Sequence, residues 1–226
     1  MKPKILAIDT ATSACSVALQ IDNEIIEYYE VTPKQHSTLI LPMIQDVLKI
    51  ANLRLNELDA IAFGHGPGSF TGVRLAASIT QGLCFGANIP AIGISTLQAI
   101  AERAFREKKV NNVLVACNAY MQEIYFAAYI KNNDGFMEAV IPDMISKAEN
   151  LCLPKKLAEY EWYAAGDAWE QYNIQIKHNI EKENIIYPSA KDIVILARAK
   201  FKRGEILKTT EITPVYLQNN LYNKTM

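Results

Sequence analysis

The first part of the chain alternates short apolar runs with polar turns. The run KILAIDT, residues 4–10, is β-branched and apolar until its last two residues, and it predicts a buried strand with a polar tip. Two similar runs, residues 15–21 and 24–32, flank an Asp-Asn pair at Asp22, which is typical of a tight hairpin turn. The pattern therefore predicts three antiparallel strands at the start of the fold.

Helical and extended patterns then alternate. Apolar residues at helical spacing predict a helix over residues 36–53, and a short strand follows over residues 58–64. A glycine-rich turn leads into a long helix that ends near Gly86. After it, residues 91–95 predict a strand and residues 96–108 a helix. The predicted order is β-β-β-α-β-α-β-α.

A shorter copy of this order begins after a polar joint at residues 108–112. The pattern predicts four strands and a final helix, over residues 113–119, 123–130, 135–141, 161–167 and 189–204. Ser189 is a typical N-cap for that helix and Gly204 a typical stop. We expect an α/β protein made of a duplicated β-β-β-α-β-α unit with a shortened second lobe, the lobes spanning residues 1–108 and 109–226.

Composition and charge narrow the function classes. Half of the 226 residues are hydrophobic, as in a globular protein, and 23 Lys and Arg are balanced by 24 Asp and Glu. A protein that binds tRNA or DNA alone usually has a basic surplus, because phosphate neutralisation contributes most of the affinity. Any nucleic acid is therefore expected to be bound mainly by a partner. No apolar run reaches the roughly 18 residues of a membrane helix, so we expect a cytoplasmic protein without a membrane segment.

The cysteines and histidines form no recognisable chemical motif. There is no CxxC pair, and reduced core thiols are expected at Cys15, Cys84, Cys117 and Cys152. The H-x-x-x-H spacing of a metal site is missing among His36, His65 and His178. No G-x-S-x-G sequence occurs either. We therefore expect neither a metal site nor a serine nucleophile.

The turn before the second helix looks like a phosphate-binding loop but fits neither common motif. A P-loop requires a Lys, and none occurs between Gly64 and Gly86. The dinucleotide fingerprint requires a third glycine where Ser69 stands. A helix start can still accept an anion, and Arg74 would add positive charge.

Asp9 and Thr10, at the first strand tip, are weak candidates for nucleotide binding. Backbone N–H groups of such a turn can surround a phosphate, and the Asp can bind a cation through water. An ordinary strand end with capping hydroxyls fits the same residues. Both interpretations stay open on the sequence.

The second helix carries small residues in two rows. They are Gly72, Ala76 and Thr80 in one row and Ser78, Gly82 and Gly86 in the other. Glycine lowers helix propensity by about 1 kcal/mol relative to Ala, so glycines inside a helix need a reason. Small side chains allow another helix to approach closely. Either this helix packs only on its own sheet, or a partner helix also packs against its outer side.

The first helix favours a partner, because its apolar residues form two lines instead of one stripe. The lines are Leu39, Met43, Val47 and Ile50, and Ile40, Ile44, Leu48 and Ala51. We therefore predict a protein interface on the two helices. Its expected residues are His36, Leu39, Ile40, Met43, Val47, Phe70, Thr71, Arg74, Leu75, Ser78 and Gly82. On this hypothesis, Gly82→Leu or Met43→Glu weakens assembly and leaves the monomer folded.

Four stretches together resemble one family. They are ILAIDTATSACSVAL, HSTLILPMIQDVL, GPGSFTGVRLAASITQGLCFGANIPAIGISTLQAIA and PVYLQNN. In this order they closely resemble the TsaB family, also called YeaZ, of bacterial tRNA threonylcarbamoyladenosine biosynthesis proteins. The likeness is strongest from Lys4 to Ala101. It implies the actin-like ATPase fold with two RNase-H-like lobes, which agrees with the duplication predicted above.

The resemblance also implies a function. By this resemblance, the chain is expected to be a non-catalytic scaffold subunit. Its complex would form N6-threonylcarbamoyladenosine beside the anticodon of tRNAs reading codons that begin with A. The implied partners are a TsaD-like catalytic subunit and a TsaE-like ATPase, with tRNA met only within the complex. ATP and a metal ion belong to those partners, and the chain has no cofactor of its own. Alone it is expected to form a homodimer through the same surface.

Two positions depart from the family pattern. Asn118-Ala119-Tyr120 stands where the family commonly has Asp-Ala-Arg, and Gln218 stands where Arg is usual. An Asp at position 118 would help to bind a magnesium nucleotide, so independent ATP binding is not expected. The alternatives are a stand-alone ATP-dependent phosphotransferase of the same fold and a peptidase, an older label for the wider family. No catalytic dyad in the sequence favours the peptidase.

Overall fold

The computed structural model contains two five-stranded mixed sheets. It describes residues 2–119, 122–157, 159–172, 174, 176, 180–182 and 187–217. Three residues discussed above, Tyr120, His178 and Gln218, lie outside the described residues.

The first part of the chain contains β1 Ile5–Asp9, β2 Ala14–Ile21, β3 Glu24–Val31, α1 His36–Ile50, β4 Ala60–Gly66, α2 Phe70–Ala87, β5 Ala91–Ser95 and α3 Thr96–Lys108. Its five strands form the first sheet in the order β3-β2-β1-β4-β5. Strand β2 is antiparallel to β1 and β3 is antiparallel to β2, whereas β4 is parallel to β1 and β5 is parallel to β4. All eight predicted elements of this part are confirmed.

The second part of the chain contains β6 Asn112–Asn118, β7 Glu123–Lys131, β8 Met137–Lys147, β9 Trp162–Ala165, α4 Ala168–Gln171, β10 Ile180–Lys182 and α5 Ala190–Lys202. Its five strands form the second sheet in the order β8-β7-β6-β9-β10, which repeats the order and directions of the first sheet. The place of α1 is taken by two 3-10 turns, and the place of the 18-residue α2 by the four-residue α4. The predicted duplication with a shortened second copy is confirmed.

Large and small residues alternate along the central strands of the first sheet, so its two faces differ. The large residues face α1 and α2, and they include Leu6, Ile8, Val17, Leu19, Ile61 and Phe63. The buried positions between them are mostly alanine, and α5 packs on these strands. At the start of α5, the N–H of Ala190 donates to Ser16 Oγ at 2.9 Å. A face of small side chains allows a helix to lie close to the sheet.

Helices α3 and α5 do not belong to the compact units that their order along the chain predicts. One compact unit comprises Met1–Ala99 with Tyr187–Val215, and the other Ile100–Ile186 with Tyr216–Met226. The predicted division at residue 108 instead assigned α5 to the second lobe and α3 to the first. In the structure, Lys200 Nζ of α5 donates to the Gly93 carbonyl of β5 at 3.0 Å. An amphipathic pattern predicts a helix but does not specify which sheet the helix covers.

The predicted N-cap and the predicted glycine stop of α5 are both confirmed. Ser189 Oγ accepts the N–H of Lys191 at 3.1 Å, so Ser189 caps the helix. Gly204 follows the last turn with a φ of +73°, a left-handed conformation that suits glycine. Both ends of the helix are therefore encoded by its neighbouring residues.

The prediction of core thiols is confirmed for three of the four cysteines and is wrong for Cys152. Cys15, Cys84 and Cys117 are buried, whereas Cys152 is exposed, and none forms a disulfide. Burial raises the pKa of Cys15 and of Cys84 to about 12. These thiols therefore stay protonated at neutral pH and are poor nucleophiles. In the described part of the chain, no helix has the length and apolar character needed to cross a membrane.

Candidate functional site

The glycine-rich turn before α2 packs directly on the tip of β1. The N–H of Ser69 donates to the Ala11 carbonyl at 2.7 Å, and Thr10 Oγ1 donates to the Gly72 carbonyl at 2.6 Å. A Cβ at Gly68 would lie 2.5 Å from the Ala11 oxygen, closer than any side chain allows. The glycines of this turn therefore serve a close approach between two backbone segments.

The first turn of α2 is closed in the same way. Ser69 Oγ accepts the N–H of Gly72 at 3.4 Å, which caps the helix. A Cβ at Gly72 would lie 2.0 Å from the Thr10 carbonyl oxygen. The N–H groups of Ser69 and Gly72 are thus engaged within the chain, and the carbonyls beside them are unfavourable neighbours for a phosphate.

Asp9 is a buried carboxyl at the end of β1. It is fully inaccessible, and its Oδ1 accepts the N–H of Ala11 at 3.1 Å. Its Oδ2 has no hydrogen-bond partner among the described residues, and it lies against Gly64, where a Cβ would come within 1.9 Å. Burial raises the pKa of Asp9 to about 7, and the bond from Ala11 opposes this only in part. The Asp9 side chain, which the sequence analysis named as a weak candidate for nucleotide binding, is therefore enclosed by protein atoms.

Asp9→Asn is expected to remove a pH dependence of stability. The pKa of Asp9 is about 7 in the folded chain against an ordinary value of 3.8, so the folded state keeps a proton that the unfolded chain releases. This contribution is complete below about pH 4 and is lost as the pH rises through about 7, on the order of 4 kcal/mol in total. In urea titrations, the stability of wild type relative to Asp9→Asn should fall between these pH values. A constant difference would contradict a buried acid at this position.

Asn118, at the tip of β6, is the centre of a polar network. Its backbone N–H donates to Asp167 Oδ1 at 2.8 Å, and its Nδ2 donates to Gln171 Oε1 at 2.7 Å. Tyr172 Oη donates to Asn118 Oδ1 at 3.2 Å. An amide both donates and accepts here, which a carboxylate cannot do. The Asn that departs from the family pattern therefore has a structural role of its own.

The two rows of small residues on α2 have different environments. Gly72, Ala76 and Thr80 are buried, and Gly72 lies on the β1 tip. Ser78, Gly82 and Gly86 are exposed. A Cβ built on Gly82 or Gly86 meets no atom within 4 Å. The inner row therefore packs on this protein's own strands, and the outer row faces open space, where a partner helix stays a prediction.

The exposed side of α2 carries large aromatic residues and almost no charge. Phe70 is 67% exposed and Phe85 80% exposed. Thr71 is exposed and Leu75 half-buried on the same side. Arg74 is the only charged residue among the 18 of the helix. We call this side the α2 outer face: Phe70, Thr71, Arg74, Leu75, Ser78, Gly82, Phe85 and Gly86.

The prediction for α1 was largely wrong. Ile40, Met43 and Val47 are buried in the core of the first unit, so they cannot contact a partner. Leu39 and His36 are half-buried at the edge, where His36 Nε2 lies 3.2 Å from the Ala14 carbonyl. The buried residues of α1 form one stripe of ordinary width. The second apolar line predicted from the sequence is not a separate face of the helix. It resulted because an apolar residue at the margin of one stripe can be assigned to either of two helical rows.

Two exposed large side chains, Phe85 and Leu41, are not among the interface residues predicted from the sequence. Phe85 is the most exposed of the large hydrophobic side chains described, and Leu41 of α1 is 47% exposed. Phe85 follows Ser78 by seven residues, and that spacing places both on one side of a helix. The helical period alone would therefore have placed Phe85 on the same side of α2 as Ser78.

Titratable side chains do not gather into a metal site in the described part of the chain, where no group of three His, Cys, Asp or Glu could bind an ion. Burial and the charge of Lys200 lower the pKa of His65 to about 4. His65 is therefore neutral at physiological pH, and its ring packs edge-on to Phe63.

Comparison with known proteins gives consistent matches over nearly the whole chain. The family model described as TsaD: tRNA N6-adenosine threonylcarbamoyltransferase matches residues 21–225. The tRNA threonylcarbamoyladenosine biosynthesis protein TsaB of Escherichia coli (strain K12) is 37% identical over 221 residues, 96% of each chain. The protein of the same name from Haemophilus influenzae is 38% identical over 224 residues, 96% of this chain and 94% of that one.

Solved structures agree with these matches. YeaZ from Pseudomonas aeruginosa has a TM-score of 0.90 and 36% identity, and the alignment covers 95% of this chain and 100% of that chain. A Pseudomonas aeruginosa protein described as similar to peptidase YEAZ has a TM-score of 0.88 and 36% identity, covering 96% and 100%. The expected actin-like fold with two RNase-H-like lobes is confirmed by these matches and by the repeated strand order.

Proposed function

The chain belongs to the TsaB family, and on that premise we propose that it takes part in tRNA threonylcarbamoyladenosine biosynthesis as a scaffold subunit without catalytic activity. In this proposal it binds a TsaD-like catalytic subunit, and a TsaE-like ATPase completes the complex. tRNA is met only within that complex, which agrees with a net charge of −1.

The observation that carries the proposal is the α2 outer face. A solvent-exposed helix normally carries several charged side chains on its outer side. In α2, 17 of the 18 residues are uncharged, and Arg74 is the single exception. Two phenylalanines are largely exposed on it. Exposed aromatic side chains on a surface with little charge are typical of a protein interface. In the absence of the partner, we expect two copies of the chain to pair through this face.

The first strand tip supports a role without phosphoryl transfer. The N–H groups of Ser69 and Gly72 are engaged within the chain, and Asp9 is enclosed against Gly64. Phosphoryl transfer requires donors and a metal-binding carboxylate that face the nucleotide. ATP and a metal ion are therefore assigned to the partner subunits.

The proposal is tested by mixing the purified chain with the TsaD-like subunit of the same organism. We expect a stable complex in size-exclusion chromatography, and we expect loss of threonylcarbamoyladenosine from cellular tRNA when the gene is depleted. Persistence of the modified nucleoside in depleted cells would contradict the role in the pathway. Failure to form a complex with both partner proteins and ATP present would contradict the scaffold.

Calorimetry of the isolated chain with magnesium ATP tests the absence of catalysis. We expect no tight binding and no hydrolysis, because the strand tip is filled by protein atoms. Sub-micromolar binding would instead favour the stand-alone phosphotransferase. Asp9→Asn is a suitable control, since a change in that binding would locate the nucleotide at the β1 tip.

A further inference from the structure

The two residues that follow β1 hold the first turn of α2. Thr10 Oγ1 donates to the Gly72 carbonyl at 2.6 Å, and the N–H of Ser69 donates to the Ala11 carbonyl at 2.7 Å. Gly72 allows this approach, because a Cβ there would lie 2.0 Å from the Thr10 carbonyl oxygen. The start of α2 is therefore fixed against the first sheet by the end of β1.

The Thr10 hydroxyl is well suited to locate α2. Thr10 is fully buried, and a buried hydroxyl without a hydrogen bond is unfavourable, so its bond to Gly72 restricts where the helix can lie. Thr10 is also β-branched, and its χ1 torsion has few favourable values. In an α-helix a carbonyl such as that of Gly72 bonds to the N–H four residues later, which leaves its second lone pair for the hydroxyl. The hydroxyl thus locates the helix without interrupting its hydrogen bonds.

Resting on the proposed function, we propose that Thr10 is a positioning residue of the interface, whose hydroxyl sets the placement of α2 that the TsaD-like subunit recognises. Phe70 and Thr71 of the α2 outer face lie in the same turn as Gly72, so a shift of that turn moves them directly. The core of an interface is packed as densely as a protein interior, so such a shift loses contacts with the partner. Because Thr10 is itself fully buried, it acts through α2 and not by touching the partner.

This role differs from the nucleotide contact that the sequence left open for Thr10. A hydroxyl has one hydrogen to donate, and Thr10 donates it to a carbonyl of its own chain. A phosphate oxygen accepts hydrogen bonds, so binding it through this hydroxyl would require the bond to Gly72 to break. Nucleotide binding through Thr10 is therefore an outcome of the test and not the proposal.

The other half of α2 is held by a different segment of the chain. Gln81 Nε2 donates to the Thr209 carbonyl, beyond the end of α5, at 3.0 Å. Phe85 follows Phe70 by 15 residues, which corresponds to about 22 Å along the helix axis. Loss of the Thr10 bond is therefore expected to shift the Phe70 end of the face more than the Phe85 end.

The test measures the dissociation constant of the complex with the TsaD-like subunit, in conditions where circular dichroism shows each free variant folded. Thr10→Val keeps the shape of the side chain and removes the hydroxyl, and it should weaken binding about 10-fold, equivalent to about 1.4 kcal/mol. Thr10→Ser keeps the hydroxyl and should restore most of the binding. Should Thr10→Val fail to fold, Thr10→Ala provides the same comparison with Thr10→Ser.

Ser16→Ala is the matched control for a general loss of stability. Ser16 is another fully buried hydroxyl of the first sheet, and it accepts the N–H of Ala190 in α5 at 2.9 Å. Its removal should lower the urea midpoint of the free chain and leave the dissociation constant of the complex unchanged, because α5 is held and not α2.

A double-mutant cycle then locates the effect along α2. If Thr10 acts by placing Phe70, Thr10→Val should weaken the binding of a Phe70→Ala chain by less than about 3-fold. In a Phe85→Ala chain the same change should keep its effect of about 10-fold, because distant sites are additive. An equal effect of Thr10→Val in both backgrounds would overturn the positioning of Phe70.

The outcomes separate this inference from the proposed function. If Thr10→Val binds like wild type while Gly82→Leu blocks assembly, the positioning role is wrong and the interface stands. If Ser16→Ala weakens binding as much as Thr10→Val does, the loss is general destabilisation and the inference is overturned. If the isolated chain binds magnesium ATP and Thr10→Val abolishes that binding, Thr10 is a nucleotide ligand, which also overturns it. If wild type forms no complex, the proposed function itself is contradicted.

Discussion

Gly82→Leu is expected to abolish assembly with the TsaD-like subunit while leaving the monomer at least as stable as wild type. The added side chain would stand on the α2 outer face, where a Cβ at Gly82 meets no atom within 4 Å. It would therefore keep a partner helix away from the backbone of α2, with a loss of at least about 2 kcal/mol, as at a binding hot spot. Within the monomer, replacing a helical glycine should add roughly 0.5–1 kcal/mol of stability.

The decisive measurements are the dissociation constant of the complex and the urea midpoint of the free chain. Gly72→Ala is the contrasting variant on the same helix, because its Cβ would lie 2.0 Å from the Thr10 carbonyl oxygen, and it should destabilise the monomer. Lys202→Leu adds an equally exposed apolar side chain on α5 and should leave assembly unchanged. If Gly82→Leu assembles like wild type, the partner does not approach α2 closely.

Met43→Glu is expected to unfold the first unit, in contrast to the sequence-based expectation of a folded monomer that fails to assemble. Met43 is only 5% exposed, and its Sδ lies 3.9 Å from the Sγ of buried Cys15. A carboxylate there would be buried without a partner, at a cost of about 3–5 kcal/mol, which is a large fraction of the stability of a domain.

Urea denaturation followed by circular dichroism tests this prediction. Met43→Leu is the matched control, because a swap of similar volume should cost less than about 1.5 kcal/mol. A Met43→Glu chain with the wild-type midpoint and lost assembly would show that α1 contacts the partner directly. Threonylcarbamoyladenosine content of tRNA alone cannot separate these cases, since an unfolded subunit and an unassembled one both lower it.

Most secondary structure could be predicted because its signals are local. The strand β1 follows from a continuous apolar run, and α5 follows from its period and from the capping residues Ser189 and Gly204. The short elements β10 and α4 were missed, since three- and four-residue segments have too few positions to show a period. The predicted interface residues on α2 are exposed or half-buried, whereas the prediction was extended wrongly to buried residues of α1.

The sequence by itself determined the order of the longer elements, the duplication and the family, because each depends on residues that are near one another along the chain or on ordered motifs. Only the tertiary structure decided which side of each element meets solvent. An apolar stripe has the same sequence pattern whether this protein's own sheet or a partner covers it. The pattern therefore could not show that Met43 is buried and Phe85 is exposed. The β1 tip is a similar case. Asp9 is enclosed because Gly64, distant in sequence, lies beneath its carboxyl, and burial by a distant segment leaves no local pattern.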